Sequence, residues 1–349
     1  MKPIPCYLLT GILGAGKTTL VNHILRHAGD RRFAVIVNEL GAIDVDGELI
    51  ETSQGPQLSL ANGCLCCTIR DDLEESVLGL LKRSSNFDGL IVEASGVADP
   101  TPILNTFLLS ESLRSRIRVD SVIAVIDVEG FPLLRGSNAY LARRQAAAAD
   151  LCLLNKSDLV DADQVASVRD SLSHWIPRLR VLTTTQATVP LELLLGRQRF
   201  NEDQLPHGQP VEVHVHSPHQ SCNGRHNDGQ LLLESWCFQA DGEFEPHALA
   251  STLKRLPIGV YRAKGMVRLQ GEEENQPFAV QLSGTRLDVR PASASRSQGP
   301  EFSNRIIFLA EQGAIDIDGL TSSLHKALET PEELTSSEIL LKRVKRILG

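Results

Sequence analysis

A glycine-rich stretch near the start of the chain has the residue types and spacing that bind phosphate. Residues 11–19 read GILGAGKTT and fit the pattern G-x-x-x-x-G-K-S/T, with an apolar run before them and a helical pattern after them. The glycines let backbone N–H groups point at phosphate oxygens, and the helix start adds its positive end. Lys17 supplies a charge for the outer phosphates, and Thr18 supplies a hydroxyl for Mg²⁺. The stretch predicts a nucleotide site built from Gly11, Gly14, Ala15, Gly16, Lys17, Thr18 and Thr19.

A second motif predicts which base is bound. Asn155, Lys156 and Asp158 fall in the sequence NKSD, directly after the apolar run 151–154. A carboxylate at Asp158 accepts hydrogen bonds from N1–H and the 2-amino group of guanine, which adenine does not offer. We expect Asn155 to brace the loop and the Lys156 stem to lie over the base. The pair of motifs favours GTP over ATP.

Between these motifs the sequence offers ligands for Mg²⁺ and for the terminal phosphate. Glu93 ends a buried-strand run, where its carboxylate is suited to hold Mg²⁺ through water, and Gly96 offers a backbone N–H to the terminal phosphate. Asp44 and Asp46 follow the second strand, where a nucleotide-sensing switch is expected, and Asp46 is a further Mg²⁺ candidate. A solvated acidic loop is the alternative. With no strong general base in view, slow turnover is expected from the candidate catalytic residues Lys17, Thr18 and Glu93.

Three cysteines within four residues, Cys64, Cys66 and Cys67, predict a metal site. Thiolates are soft ligands that suit Zn²⁺, Cu(I) and other late transition metals. Three thiolates leave a tetrahedral ion one ligand short. Glu39 or a histidine from elsewhere is a candidate for the fourth ligand, and an open position would suit a metal that is handed on. Buried cysteines or a redox pair are the alternatives.

The patterns around these motifs predict an α/β domain over residues 1–200. Apolar runs at 33–37, 89–92, 121–126 and 151–154 alternate with helical patterns at 71–82, 101–109, 138–149 and 162–174. Continuous apolar runs of this kind indicate a parallel sheet that is covered on both faces by helices. In such sheets ligands bind at the carboxyl ends of the strands, where the motifs fall.

Residues 201–229 have the composition of a polar linker, with no helix or long strand pattern. Half of the ten histidines of the chain lie here. The candidate secondary metal ligands are His207, His214, His216, His219, Cys222 and His226. They are suited to a low-affinity metal collector, or they are polar residues of a surface loop, and the sequence does not choose between these readings.

Residues 230–330 predict a smaller α+β domain with an antiparallel sheet. The predicted strands are 231–238, 258–263, 266–269, 278–282 and 305–309, with helices at 246–255 and 318–328. We expect residues 284–300 to form a mobile loop. Residues 331–349 predict a basic amphipathic helix that packs on its own protein, with docking on a client as the alternative.

Composition excludes several function classes. The net charge of −8 argues against a general nucleic-acid binder. No apolar run reaches the ~20 residues that span a bilayer, and the N-terminus leads directly into the first strand without room for a signal peptide. Seven cysteines in this arrangement do not resemble a disulfide framework. We therefore expect a cytoplasmic protein without nucleic-acid or membrane partners, and a homo-oligomer is compatible with the sequence.

Taken together, the motifs resemble the CobW-type GTPases, relatives of the UreG and HypB nickel-insertion GTPases. The resemblance rests on the phosphate loop, 38–41 (NELG), 64–67 (CLCC), 93–100 (EASGVADP), 155–158 (NKSD) and 259–265 (GVYRAKG), and it covers about residues 4–328. It implies a P-loop NTPase fold, a CobW C-terminal domain and a GTP-driven metallochaperone that carries a transition metal, most often zinc, to a client protein. Many relatives have an acidic residue after NELG, where this chain has Ala42.

Two other functions stay open at this point. One is a regulatory GTPase whose cysteines are structural, and the other is a GTPase that assists cobalt insertion during cobalamin synthesis. Thiolate softness and the affinity order of the divalent metals favour Zn²⁺ without excluding Co²⁺ or another transition metal.

Overall fold

The computed structural model describes residues 3–39, 57–61, 68–83, 87–195, 211–213, 233–272, 276–292 and 303–328. The chain forms two compact units, Met1–Gln198 and Arg199–Gly349. Within the described ranges, no helix combines the length and the apolar character that crossing a membrane requires.

The first unit is built on seven parallel strands. They are β1 (Ile4–Thr10), β2 (Phe33–Glu39), β3 (Gln57–Ala61), β4 (Gly89–Ala94), β5 (Ile117–Asp127), β6 (Leu151–Asn155) and β7 (Val181–Thr183). Their order across the sheet is β3-β2-β4-β1-β5-β6-β7. All six residues of β4 and all five of β6 are buried, as expected for strands covered on both faces. The predicted α/β parallel sheet is confirmed.

Helices of this unit cover the sheet with regularly spaced apolar side chains. They are α1 (Lys17–Arg26), α2 (Thr68–Arg83), α3 (Thr101–Leu109), α4 (Glu111–Arg114), α5 (Gly136–Ala147), α6 (Ala162–Trp175) and α7 (Leu191–Leu195). Helix α6 begins where the Asp161 carboxylate accepts the Gln164 N–H at 2.8 Å, and Val168 and Leu172, four residues apart, face the core. Because β1, β4 and β6 are parallel, their carboxyl ends lie at one edge of the sheet, and the phosphate, EASG and NKSD motifs lie at these ends.

The second unit is an antiparallel sheet with two helices, which confirms the predicted α+β domain. Its strands are β8 (Val211–Val213), β9 (Leu233–Ala240), β10 (Val260–Arg268), β11 (Pro277–Ser283), β12 (Arg286–Pro291) and β13 (Asn304–Glu311), in the order β12-β11-β10-β13-β9-β8. Helices α8 (Pro246–Lys254) and α9 (Ile317–Leu328) join the sheet in one core, where the rings of Trp236 and Phe308 stack with centroids 5.3 Å apart.

Two expectations for this unit are wrong. The two strands predicted at 258–263 and 266–269 are one strand, β10, which runs through Gly265 without a break. The neighbouring strand lies so close here that a Cβ at Gly265 would be 2.2 Å from the carbonyl oxygen of Arg305, so this position in the strand requires glycine. The predicted mobile loop at 284–300 contains β12, whose Leu287 and Val289 alternate with charged residues and pack on the core. Alternation of apolar and charged residues is typical of a strand with one face on the core. The pattern was overlooked because the surrounding residues 284–300 are rich in Ser and Arg.

Short strands at the margins of both sheets were also absent from the sequence predictions. Strands β3 and β7 are edge strands of the first sheet, with five and three residues, and β8, within the predicted linker 201–229, has three residues. Runs of this length carry too few residues to show a period, and pairing with a neighbouring strand decides their structure.

Candidate nucleotide site

The phosphate loop has the backbone conformation that its glycines permit. Gly11, Gly14 and Gly16 have φ values of 139°, 77° and 107°, all in the left-handed region. A Cβ at Gly11 would lie 2.1 Å from the carbonyl oxygen of Val125 on β5, so no larger residue fits there. Helix α1 begins at Lys17, directly after the loop, so the N-terminal end of the helix lies next to the loop. This arrangement is suited to binding the phosphates of a nucleotide.

The Lys17, Thr18 and Glu93 side chains, which come from two elements, meet beside this loop. Lys17 is 6% exposed, and its Nζ donates to the carbonyl oxygen of Ile12 at 3.3 Å. The Thr18 hydroxyl donates to Glu93 Oε1 at 3.0 Å, and the Glu93 side chain at the end of β4 is 4% exposed. A hydroxyl next to a carboxylate forms an all-oxygen donor set, which fits the preference of Mg²⁺.

Asn155 joins the NKSD motif to the phosphate loop. Its Nδ2 donates to the carbonyl oxygen of Ala15 at 2.8 Å, and its Oδ1 accepts the Ala187 N–H at 2.8 Å. The side chain is 2% exposed, and a Cβ at Gly16 would lie 2.4 Å from Nδ2. Asn155 therefore holds three separate parts of the chain together, at the point where phosphates and base would meet.

The NKSD side of the candidate site contains an ion pair between Lys156 and an aspartate, Asp127, that the sequence predictions missed. Lys156 has a φ of 63°, and its Nζ lies 2.7 Å from Asp127 Oδ2. Asp127 Oδ1 accepts the N–H groups of Glu129 and Gly130 at 3.1 and 3.2 Å. Asp158 lies in the short turn that follows, with its side chain exposed. A signal for Asp127 existed, because it is an acidic residue at the carboxyl end of a predicted strand.

The loop 184–189, for which the sequence predicted no role, packs against the NKSD motif. The Ser157 N–H donates to the carbonyl oxygen of Thr184 at 3.3 Å, and Ala187 reaches Asn155 through its backbone N–H. The His23 Nε2 lies 2.8 Å from the carbonyl oxygen of Val189, and burial lowers the pKa of this imidazole below its ordinary value. Because these three contacts use backbone groups of the loop, the residue types there give no signal for them in the sequence.

The loop after β4 brings Gly96 against the phosphate loop. A Cβ at Gly96 would lie 2.5 Å from the Leu13 backbone nitrogen, so the two backbones are in close contact. A turn, in which the Ala98 N–H donates to the carbonyl oxygen of Ser95 at 3.0 Å, shapes this loop. Gly96 thus lies next to the phosphate loop, as its suggested contact with the terminal phosphate requires.

Several residues that the sequence singled out lie outside the described residues. They are Asp44, Asp46, Cys64, Cys66, Cys67, His207, His214, His216, His219, Cys222 and His226. Glu39 ends β2, but its side chain is also outside the description. Within the part of the chain that is described, no three His, Cys, Asp or Glu side chains come close enough together to hold a metal ion. The basic amphipathic helix predicted at 331–349 is likewise outside the described residues.

Two family models match the chain, one for each unit. Residues 5–183 match the family described as CobW/HypB/UreG, nucleotide-binding domain. Residues 233–328 match the cobalamin synthesis protein cobW C-terminal domain. The two matches include the phosphate loop, the NKSD motif and all of the described α8 and α9.

Individual relatives are similar over most or about half of the chain. The zinc chaperone YjiA of Escherichia coli is 33% identical over 283 residues, which are 80% of this chain and 86% of that protein. The zinc chaperone CobW of Pseudomonas aeruginosa is 35% identical over 227 residues, which are 56% of this chain but only 60% of that protein. The solved Zn(II)-bound YjiA GTPase from E. coli aligns over 94% of this chain and all of that chain, with 25% identity and a TM-score of 0.43. The chain therefore belongs to the CobW/HypB/UreG family of P-loop GTPases and carries the CobW C-terminal domain.

Proposed function

We propose that this protein is a GTP-hydrolysing metallochaperone of the cytoplasm, which binds a transition metal at Cys64, Cys66 and Cys67 and delivers it to a client protein. The observation that carries the nucleotide half is the contact of Asn155 with Ala15, because it joins the guanine motif and the phosphate loop in one site. The metal half is supported by the cysteine spacing and by similarity to proteins named zinc chaperones. Zinc is the first candidate metal.

The proposal assigns roles to the residues that would contact the nucleotide and Mg²⁺. Lys17 and the backbone N–H groups of the phosphate loop bind the phosphates, and Asp158 accepts hydrogen bonds from guanine. Thr18 and Glu93 hold Mg²⁺, directly or through water, and Asp46 is proposed to assist. When bound, Mg²⁺ neutralises the charge that develops on the phosphate oxygens. Gly96 donates its N–H to the terminal phosphate, so the loop after β4 responds to the difference between GTP and GDP.

The metal is the cargo of this cycle, and nucleotide state controls how tightly it is held. The GTP-bound form arranges the segment that contains the three cysteines into a metal site, with Glu39 or a histidine as the fourth ligand. Hydrolysis loosens this site and releases the ion to the client. Coupling of this kind is reciprocal: if GTP tightens metal binding, the metal tightens GTP binding by the same factor, typically ~5–150-fold.

A competition titration with Zn²⁺ tests the proposal. Reduced, metal-free protein is titrated in the presence of Mg²⁺ and either GDP or a non-hydrolysable GTP analogue. We expect one Zn²⁺ to bind more tightly with the analogue, and we expect this difference to disappear when Cys64, Cys66 and Cys67 are all changed to serine. The same titration with Co²⁺ measures metal preference and tests the cobalt-insertion alternative.

Cys152 provides the matched control for the cysteine variant. Its thiol is fully buried, and burial raises its pKa to about 12, so it stays protonated and is a poor metal ligand. Cys152→Ala is expected to leave the Zn²⁺ stoichiometry unchanged. Equal Zn²⁺ affinities with GDP and with the analogue would contradict the metallochaperone proposal and favour a regulatory GTPase with structural cysteines.

A further inference from the structure

Helix α5 sends a buried glutamine toward the loop after β4. The Gln145 side chain is 1% exposed, and its Nε2 donates to the carbonyl oxygens of Ala98 at 3.1 Å and of Gly96 at 3.4 Å. Both partners are backbone groups of the loop that contacts the phosphate loop. Gln145 thus holds the loop by its backbone, and this contact does not depend on the side chains that the loop carries.

The neighbouring Arg144 holds the far end of the same loop. Its Nε and Nη2 lie 2.8 and 2.6 Å from Asp99 Oδ2, and its Nη2 donates to the Thr101 hydroxyl at 3.3 Å. Asp99 Oδ1 accepts the N–H and the hydroxyl of Thr101 at 2.9 and 2.7 Å, at the start of α3. Partial burial acts to raise the pKa of Asp99, but the hydrogen bonds from Thr101 and Arg144 outweigh it and bring this pKa below its ordinary value. The carboxylate therefore stays charged and fixed.

The loop held in this way has little freedom at Gly96. A Cβ on this residue would lie 2.5 Å from the Leu13 nitrogen and 2.7 Å from the Leu13 Cα, so the loop backbone already touches the phosphate loop. Gln145 donates to the Gly96 carbonyl oxygen, and the Leu13 backbone lies close against the Gly96 Cα. These two contacts limit the movement of the Gly96 backbone, which carries the N–H.

We propose that Gln145 and Arg144 are positioning residues for GTP hydrolysis, which act by holding the Gly96 N–H where the terminal phosphate binds. This inference rests on the proposed GTPase function. Neither side chain touches the nucleotide in this proposal. Because GDP lacks the terminal phosphate, their contribution applies to GTP and to its hydrolysis, and it is absent from GDP binding.

The test compares Gln145→Leu and Arg144→Met with Arg143→Met in the full-length chain. Gln145→Leu keeps a similar volume and removes the two contacts to the loop, whereas Arg144→Met removes the ion pair at an exposed position. Arg143 is the matched control, because its guanidinium lies 3.7 Å from the centroid of the Trp175 ring and no contact joins it to the loop among the described residues. Each protein is measured for kcat and KM with GTP, for the Kd of GDP and of a non-hydrolysable GTP analogue, and for thermal midpoint.

We expect kcat to fall about 10- to 100-fold in both variants, as a small misplacement of a group in the site produces, while the Kd of GDP changes by less than about twofold. The ratio of analogue to GDP affinity should fall with kcat, and Arg144→Lys should recover part of the loss. Arg143→Met should resemble the parent. An unchanged kcat and unchanged affinity ratio, or a parallel loss of GDP binding and thermal stability, would overturn the inference.

The failure of the proposed function has a different signature. If the parent protein binds both nucleotides but hydrolyses no GTP, the proposed GTPase activity is wrong, and the ratio of analogue to GDP affinity in the variants still decides whether the two residues position the loop. If the parent binds neither nucleotide, both proposals are overturned. If Gln145→Leu does not fold, Arg144→Met and Arg144→Lys carry the test, because the Arg144 side chain is exposed and its loss leaves no cavity.

Discussion

The side-chain nitrogen of Asn155 lies 2.8 Å from the carbonyl oxygen of Ala15, so a residue at the end of β6 stabilises the phosphate loop at the end of β1. The same side chain accepts the Ala187 N–H at 2.8 Å. If phosphates and base bind as proposed, we expect these contacts to make the two binding events depend on one another.

Asn155→Ala removes both contacts and leaves the Ala15 carbonyl and the Ala187 N–H without their partner. We expect a loss of about 1–3 kcal/mol in the free energy of unfolding, the cost of unsatisfied buried polar groups. Binding of GDP should weaken as well, because the phosphate loop loses its support. Urea denaturation and a GDP titration measure the two effects. Normal GDP affinity in a destabilised protein would show that the loop does not need this support.

Asp158→Asn is expected to change base preference without changing stability. The side chain is exposed, so the fold does not depend on it. The amide retains one acceptor but offers a donor where the 2-amino group of guanine would bind, and that donor suits the 2-oxo group of xanthine. We expect the affinity for GDP to fall about 10- to 100-fold, the cost of an unsatisfied polar pair, with a gain for xanthosine diphosphate. Competition binding with both nucleotides provides the measurement, and equal losses for both would argue against base contact by Asp158.

Gly11→Ala and Gly14→Ala separate a steric clash from backbone strain. Both residues have positive φ, which costs a non-glycine residue about 1–2 kcal/mol. At Gly11 the new Cβ would also lie 2.1 Å from the Val125 carbonyl oxygen, whereas at Gly14 no atom lies within 4 Å. We therefore expect Gly11→Ala to be more destabilised, by about 1–3 kcal/mol beyond Gly14→Ala, in chemical denaturation. Equal destabilisation of the two variants would mean that the β5 backbone moves at Val125 and relieves the clash at little cost.

The half-buried His23 predicts a loss of stability as the pH falls below neutrality. Burial lowers the pKa of His23 below 6.5, an effect that the hydrogen bond with Val189 partly opposes. As the pH falls below 6.5, the unfolded chain takes up a proton that the folded chain resists, so stability falls until the lowered pKa is reached. In His23→Gln this contribution is absent. Thermal midpoints between pH 7.5 and 5 should therefore fall less steeply in the variant, and parallel curves would contradict the assignment.

Sequence patterns predicted the elements that long apolar runs define and missed those that only pairing defines. The bounds of α3 agree with the predicted 101–109, and the parallel sheet follows from buried runs such as 89–92. By contrast, β3 and β7 are too short to show a period, and β12 was hidden among Ser and Arg residues. In the first unit the prediction was strongest in the centre of the sheet and weakest at its edges.

The candidate site shows a similar division by chemistry. Thr18 near the start of α1, and Glu93 and Asn155 at strand ends, were singled out from residue type and position, and the structure shows the contacts of their side chains. Ala187 was missed because its contact is made by its backbone N–H. Gln145 was missed because it lies within a predicted helix, far in sequence from any motif. Asp127 was missed although its type and place gave a signal. Contacts made by backbone, or by residues distant in sequence, depend on the fold and have no local pattern.

Three close contacts in the site are possible only because Gly11, Gly16 and Gly96 have no side chain. A Cβ at Gly11, Gly16 or Gly96 would meet, respectively, the Val125 carbonyl, the Asn155 amide or the Leu13 backbone, each within 2.5 Å. The neighbouring groups come from β5, from the end of β6 and from the phosphate loop itself. Libraries that randomise these positions under selection for nucleotide binding should therefore return glycine at all three, whereas Gly14 should admit asparagine and aspartate. Tolerance to substitution at these glycines therefore depends on the space around each Cα, and Gly11, Gly16 and Gly96 have no room for a side chain.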